Sequence, residues 1–152
     1  MTREFETIAD LKAATGQELG TSDWVTVTQE KINLFADATG DHQWIHVDPD
    51  AAAKGPFGKP IAHGYLTLSL LPVFTAQIYS VKSAVMGVNY GANKVRFPHP
   101  VPVDSRVRAT ATLKETQDIS IGTQVVLTVV VEIDGVEKPA CIADVVYVIA
   151  EG

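Results

Sequence analysis

The order of two kinds of apolar sequence limits most strongly what this chain can fold into. Residues 64–80 are apolar nearly all round at helical spacing, the pattern of a helix covered on most sides. Pro72 falls inside that run, so the sequence predicts a bend or break there, because proline removes a backbone donor and clashes with the preceding turn. After Ser80 the character changes. Residues 84–90, 94–97, 105–114, 121–133 and 140–149 are rich in Val, Thr and Ile, which predicts strands. Asp134-Gly135, between the last two runs, is a hairpin signal. Helices followed by long antiparallel strands imply an α+β domain with a helix lying on a sheet. Strands of this length leave edges that favour pairing with a second subunit.

The first half supplies shorter elements. Residues 7–14 suggest a helix ended by Gly16, and residues 22–27 alternate as a short strand. Thr28 is placed to cap a helix through Ala38. Val27 and Ile32 are spaced as a hydrophobic staple across that cap, with Ile32, Phe35 and Ala36 as the buried stripe. Residues 50–54 add one more turn before the loop Gly55-Pro56-Phe57-Gly58-Lys59-Pro60. No repeat or linker divides the 152 residues, so one domain spanning 1–152 is expected.

Charge and cysteine usage narrow the partners. The formal net charge is −6 and no Lys/Arg cluster occurs, which argues against nucleic acid or an anionic membrane. Cys141 is the only cysteine; it allows no internal disulfide and no Cys-based metal site. The N-terminus lacks a secretory apolar region, and the run from Gly64 to Ile78 is too short to span a bilayer. A cytoplasmic protein is expected.

One segment carries candidate chemistry: Ala38-Thr39-Gly40-Asp41-His42-Gln43-Trp44-Ile45-His46-Val47-Asp48. Gly40 can take the left-handed conformation that stops a helix. Asp41 and His46 then lie five residues apart beside apolar Trp44, Ile45 and Val47. An acid/base pair in a partly dry loop suits proton transfer on water. The same spacing also suits an Asp that caps a turn and a His that fills a surface gap.

Three elements in order resemble the MaoC-like dehydratases, the (R)-specific enoyl-CoA hydratases of hot-dog fold. Gly40-Asp41-His42-Gln43-Trp44-Ile45-His46-Val47-Asp48 is similar to the family signature Gly-Asp-x-Asn-Pro-[Ile/Leu]-His-x-Asp. Pro60-Ile61-Ala62-His63-Gly64 resembles the motif that opens the family's central helix, and Arg96-Phe97-Pro98-His99-Pro100-Val101 its later strand motif. Gln43 and Trp44 stand where the family usually has Asn and Pro.

The resemblance implies a long antiparallel sheet wrapped around a central apolar helix, and a homodimer. It implies hydration of trans-2-enoyl-CoA to (3R)-3-hydroxyacyl-CoA, with CoA as part of the substrate and no metal or other cofactor. Asp41 and His46 would activate water and protonate C2. The Gly64 amide at the helix N-terminus would hold the enolate oxygen. Ile61, His63 and Trp44 would meet substrate. His63 could instead order the helix start, and Trp44 could pack under the loop. Asp48 is expected to cap the following helix, and His42 and His99 to face solvent. Lys94 and Arg96 share a strand face, either solvated or meeting CoA phosphates. The fold also hosts thioesterases and non-catalytic acyl-binding subunits, which release thiol or show no turnover.

Overall fold

A computed structural model describes residues 1–152. Its largest element is a six-stranded sheet whose main path runs β2-β6-β7-β8-β5, with β3 also paired to β6. The strands are β2 Glu18–Thr21, β3 Val25–Val27, β5 Ala84–Arg96, β6 Ser105–Ile119, β7 Gly122–Ile133 and β8 Cys141–Glu151. All pairings in this sheet are antiparallel. Alternation places Val107, Ala109, Ala111 and Leu113 of β6 in the core beside Leu127, Val129 and Val131 of β7. Thr110 and Thr112 of β6 are half-buried on the other side.

The predicted helix over 64–80 is two helices, α5 Gly64–Ser69 and α6 Leu71–Ile78. Leu70 is the junction: its amide bonds back to Leu66 and Thr67, and its carbonyl accepts from Phe74. Pro72 falls in the first turn of α6, where a missing N–H costs nothing. Leu66, Leu71, Phe74 and Ile78 enter the same core as the sheet's inner face, giving the hot-dog arrangement. The helix stops at Ile78 rather than Ser80, because β4 Tyr79–Val81 pairs in parallel with β1 Arg3–Phe5. Neither three-residue strand was legible in the sequence.

Residues 84–90 and 94–97, separate runs in the sequence, form one strand. Register shifts at Ala84/Met86, Asn89/Gly91 and Ala92/Lys94 break the alternation that a straight strand would show. The β7–β8 hairpin closes through residues 134–140, with Gly135 at φ 79° and Ala140 N–H donating to Val131.

The first half behaves as its caps dictate. The helix α1 Ile8–Ala13 carries a complete capping box between Thr7 and Asp10. Thr28 caps α2 Gln29–Thr39 through the Lys31 amide, and Gly40, at φ 84°, ends it. Val27, Ile32 and Ala36 are buried, and Phe35 packs half-buried against the core. Two short helices follow, α3 Trp44–Val47 and α4 Pro49–Ala53. No helix is long and apolar enough to cross a membrane.

Candidate active site

The left-handed Gly40 turns the chain out of α2 and starts the site. Asp41 is exposed, and its Oδ1 accepts the Gln43 amide at 3.3 Å. The single turn α3 then carries His46 inward, where only 7% of the residue is exposed. A four-residue helix has no stability of its own, and its neighbours hold this one. Gln29 Nε2 of α2 donates to the His46 carbonyl at 2.8 Å. Asp48 ends α3 and caps α4 by accepting the Ala51 amide at 3.0 Å, as the sequence predicts.

The Pro60-to-Gly64 segment threads between α3 and residues 101–103. Ile61 N–H donates to Ile45, Ala62 N–H to Val101, and Val103 N–H to Pro60. This extended stretch presents the Ile61 carbonyl to His46, whose Nδ1–H donates to it at 2.7 Å. A carbonyl only accepts, so the proton sits on Nδ1 and the Nε2 lone pair is free. Burial depresses the His46 pKa below its usual value, and neighbouring His63 adds to this. The bond to Ile61 and the Asp41 charge oppose the shift. His46 is therefore held toward the neutral form that a base needs.

His63, only 2% exposed, stacks on His46 with ring centroids 4.0 Å apart and planes 24° apart. Its Nε2–H donates to the Asp41 carbonyl at 3.0 Å. Donor atoms of Asp41, His46 and His63 lie within 4.8 Å of one another. The cluster brings one carboxylate and two imidazoles together, groups that can accept and donate protons.

A cavity of about 260 Å³ opens beside this cluster, lined among others by His46, Ile61, Gly64, Thr67, Phe97 and His99. Gly64 begins α5, so its N–H belongs to the unsatisfied first turn. A Cβ there would meet the Phe97 ring at 3.0 Å. The three sequence motifs, far apart in the chain, thus surround one cavity.

Other candidates fall elsewhere. Trp44 is 44% exposed and is not part of the cavity wall. Its ring covers Gly55, where a Cβ would come within 2.8 Å, so it packs with the loop and leaves the cavity open. His42 faces solvent and pairs with Asp37 at 2.9 Å. His99 does not face solvent as the sequence suggested. It is half-buried, lines the cavity and donates Nδ1–H to Pro100 at 2.6 Å. Lys94 stands opposite Asp144, which already binds Lys114 and Thr128 on the sheet surface. A larger cleft of about 490 Å³ lies between α6 and β5, but no acid/base pair converges on it.

Comparison with known proteins decides the family. The family model described as "MaoC like domain" matches residues 10–136. The chain belongs to the MaoC-like domain family. A 3-hydroxyacyl-thioester dehydratase Z of Mycobacterium tuberculosis is 60% identical over 143 residues, covering 93% of this chain and 95% of that protein. Among solved structures, a monoamine oxidase regulatory protein of Archaeoglobus fulgius is similar, with a TM-score of 0.78 at 26% identity, covering 100% and 99% of the two chains. An (R)-hydratase from A. caviae shares the fold, with a TM-score of 0.72 at 23% identity over 88% and 94%. Of the MaoC-like motif residues, His46 and Gly64 line the cavity, and the Asp41 carboxylate lies beside His46.

Proposed function

We propose that this protein is a dehydratase/hydratase that interconverts (3R)-3-hydroxyacyl thioesters with trans-2-enoyl thioesters and water, acting on CoA esters in the cytoplasm. The observation that carries this reading is the free Nε2 of buried His46 at a cavity wall shared with Gly64 and beside the Asp41 carboxylate. The likeness to a 3-hydroxyacyl-thioester dehydratase over nearly the whole chain supports it.

Hydration forms a C3–O bond and a C2–H bond from one water. The water needs a proton acceptor, C2 needs a proton donor, and the thioester oxygen needs a donor for its developing charge. Asp41 and His46 supply the first two as a pair, one proton leaving water and one reaching C2. The Gly64 N–H, with the first turn of α5 behind it, supplies the third. Mixing the protein with a short trans-2-enoyl-CoA should bleach the conjugated ultraviolet band without releasing free thiol. Thiol release in place of bleaching would assign a thioesterase, and neither signal at any chain length would refute catalysis.

A homodimer completes the proposal. β5 is the sheet's outer strand on one side and pairs with β8 alone. It exposes Val85, Met86, Val88 and Tyr90 along its length, beside exposed Tyr65 and Val73 of the helices. An apolar, unpaired edge of thirteen residues invites a second sheet. Light scattering should give twice the chain mass, and a monomer at working concentration would refute the dimer.

A further inference from the structure

We infer that His63 is a positioning residue that holds Asp41, His46 and Gly64 in one frame, rather than a substrate contact. This rests on the acid/base pair proposed above. His63 reaches each of these three residues by a different means. Nε2–H anchors the Asp41 main chain at 3.0 Å. One face lies on the His46 ring at 4.0 Å. The backbone of His63 is bonded directly to Gly64, and its carbonyl accepts from Leu66 and Thr67 to start α5.

The remaining nitrogen sharpens the inference. His63 Nδ1 is buried and has no hydrogen-bond partner. A buried acceptor without a donor costs free energy, so the ring is not placed to satisfy its own polar atoms. His63 is also absent from the wall of the cavity that His46, Ile61 and Gly64 line. Phe35 of α2 also packs on the His63 ring, with centroids 4.9 Å apart. The imidazole therefore contacts a ring from α2 and a ring from α3 at once. Asparagine, glutamine or phenylalanine can each supply only part of this: a donor or a flat ring, not both.

Stacking has an electrostatic side. The titratable groups facing His46 are His63 on its face, Asp41 from the preceding loop, and His99 across the cavity. From α2, Gln29 donates to the His46 carbonyl and Phe35 packs on His63, neither of them titratable, while Asp50 of α4 is exposed. A second imidazole so close disfavours charge on His46. Burial first, and His63 after it, push the His46 pKa below its usual value.

Two substitutions separate the parts. His63→Phe keeps a flat ring and loses the anchor on Asp41. His63→Gln keeps a donor and loses the ring. For His63→Phe, kcat for enoyl-CoA hydration should fall on the order of a hundredfold, the usual result of misplacing a catalytic group by about 1 Å. KM should move less than about threefold. His63→Gln should turn over about tenfold faster than His63→Phe, because its donor holds the loop. In both, the acid limb of the kcat/KM profile should move to higher pH as His46 loses its neighbour.

Nitrogen-15 NMR titration of His46 in the free protein reads the same effect without turnover, so it stands even if the parent hydrates no thioester. Its midpoint should rise in both variants. An unchanged kcat in His63→Phe, or a loss seen wholly in KM, overturns the positioning role. Equal loss in both variants overturns the anchor. An unmoved His46 titration overturns the electrostatic part.

Discussion

Gly64→Ala should leave the protein folded and remove most of its activity. The added Cβ would lie 3.0, 3.1 and 3.2 Å from three atoms of the Phe97 ring, tighter than van der Waals contact by a few tenths of an ångström. That ring is 41% exposed and can move aside. Gly64 is not a positive-φ residue, so alanine meets no backbone strain. Alanine also gains up to about 1 kcal/mol of helix propensity over glycine. The opposing terms leave a stability change within about 1 kcal/mol of zero. The methyl nevertheless intrudes where a thioester oxygen must come within about 2.7–3.1 Å of the amide. Losing such a donor costs on the order of a hundredfold in kcat.

Thermal unfolding and enoyl-CoA hydration, measured side by side, check both halves. The double variant Gly64→Ala/Phe97→Ala separates the causes: activity that returns assigns the loss to the displaced ring, and activity that does not assigns it to the amide. Turnover of Gly64→Ala within about threefold of the parent would refute the oxyanion role.

Three further outcomes follow from the same geometry. Asp41→Asn keeps the acceptor for the Gln43 amide, so its melting temperature should match the parent while turnover falls about 10²–10⁴-fold; a near-normal rate would remove Asp41 from the chemistry. His46 carries a depressed pKa, so below about pH 6.5 the unfolded chain binds the extra proton, and stability rises with pH up to the unfolded pKa and is fully present above it. Denaturant titrations should therefore show the parent losing stability on acidification, by at most about 1.36 kcal/mol per pH unit from this group. His46→Gln should lack that part of the slope, and parallel curves would contradict the burial argument. Gly122, at φ 155°, has its Cβ position only 2.3 Å from the Ile149 carbonyl oxygen; Gly122→Ala should destabilise by about 1–3 kcal/mol, and an unchanged urea midpoint would refute this reading of the β6–β7 turn.

Local chemistry made much of the site legible in the sequence. Gly40 as a stop, Thr28 and Asp48 as caps, and the break at Pro72 each depend on a few neighbouring residues, and each stands as expected. The clustering of three motifs followed from family resemblance; spacing alone could not bring Gly64 to Asp41. What the sequence hid depends on distant partners. The parallel β1–β4 pair joins residues far apart in the chain, and three residues carry no periodicity. The length of β5 was masked by its register shifts. His99 reads as a turn residue beside two prolines, and only the fold of residues 97–101 against α5 turns it to the cavity. The contact of the His63 ring with two others was invisible because nothing in Pro-Ile-Ala-His-Gly announces a stacked partner from another motif.

The discontinuity at Leu70 has a consequence for how such an enzyme can diversify. Gly64 belongs to a six-residue helix, and a separate helix of eight residues carries Leu71, Phe74 and Ile78. Pro72, Thr75 and Ala76 of the second helix line the cleft beside β5, whereas Gly64 of the first lines the smaller cavity at His46. The two helices thus face two different hollows of the molecule. A lineage can retailor one while the other stays fixed, as two parts on a common hinge are machined separately.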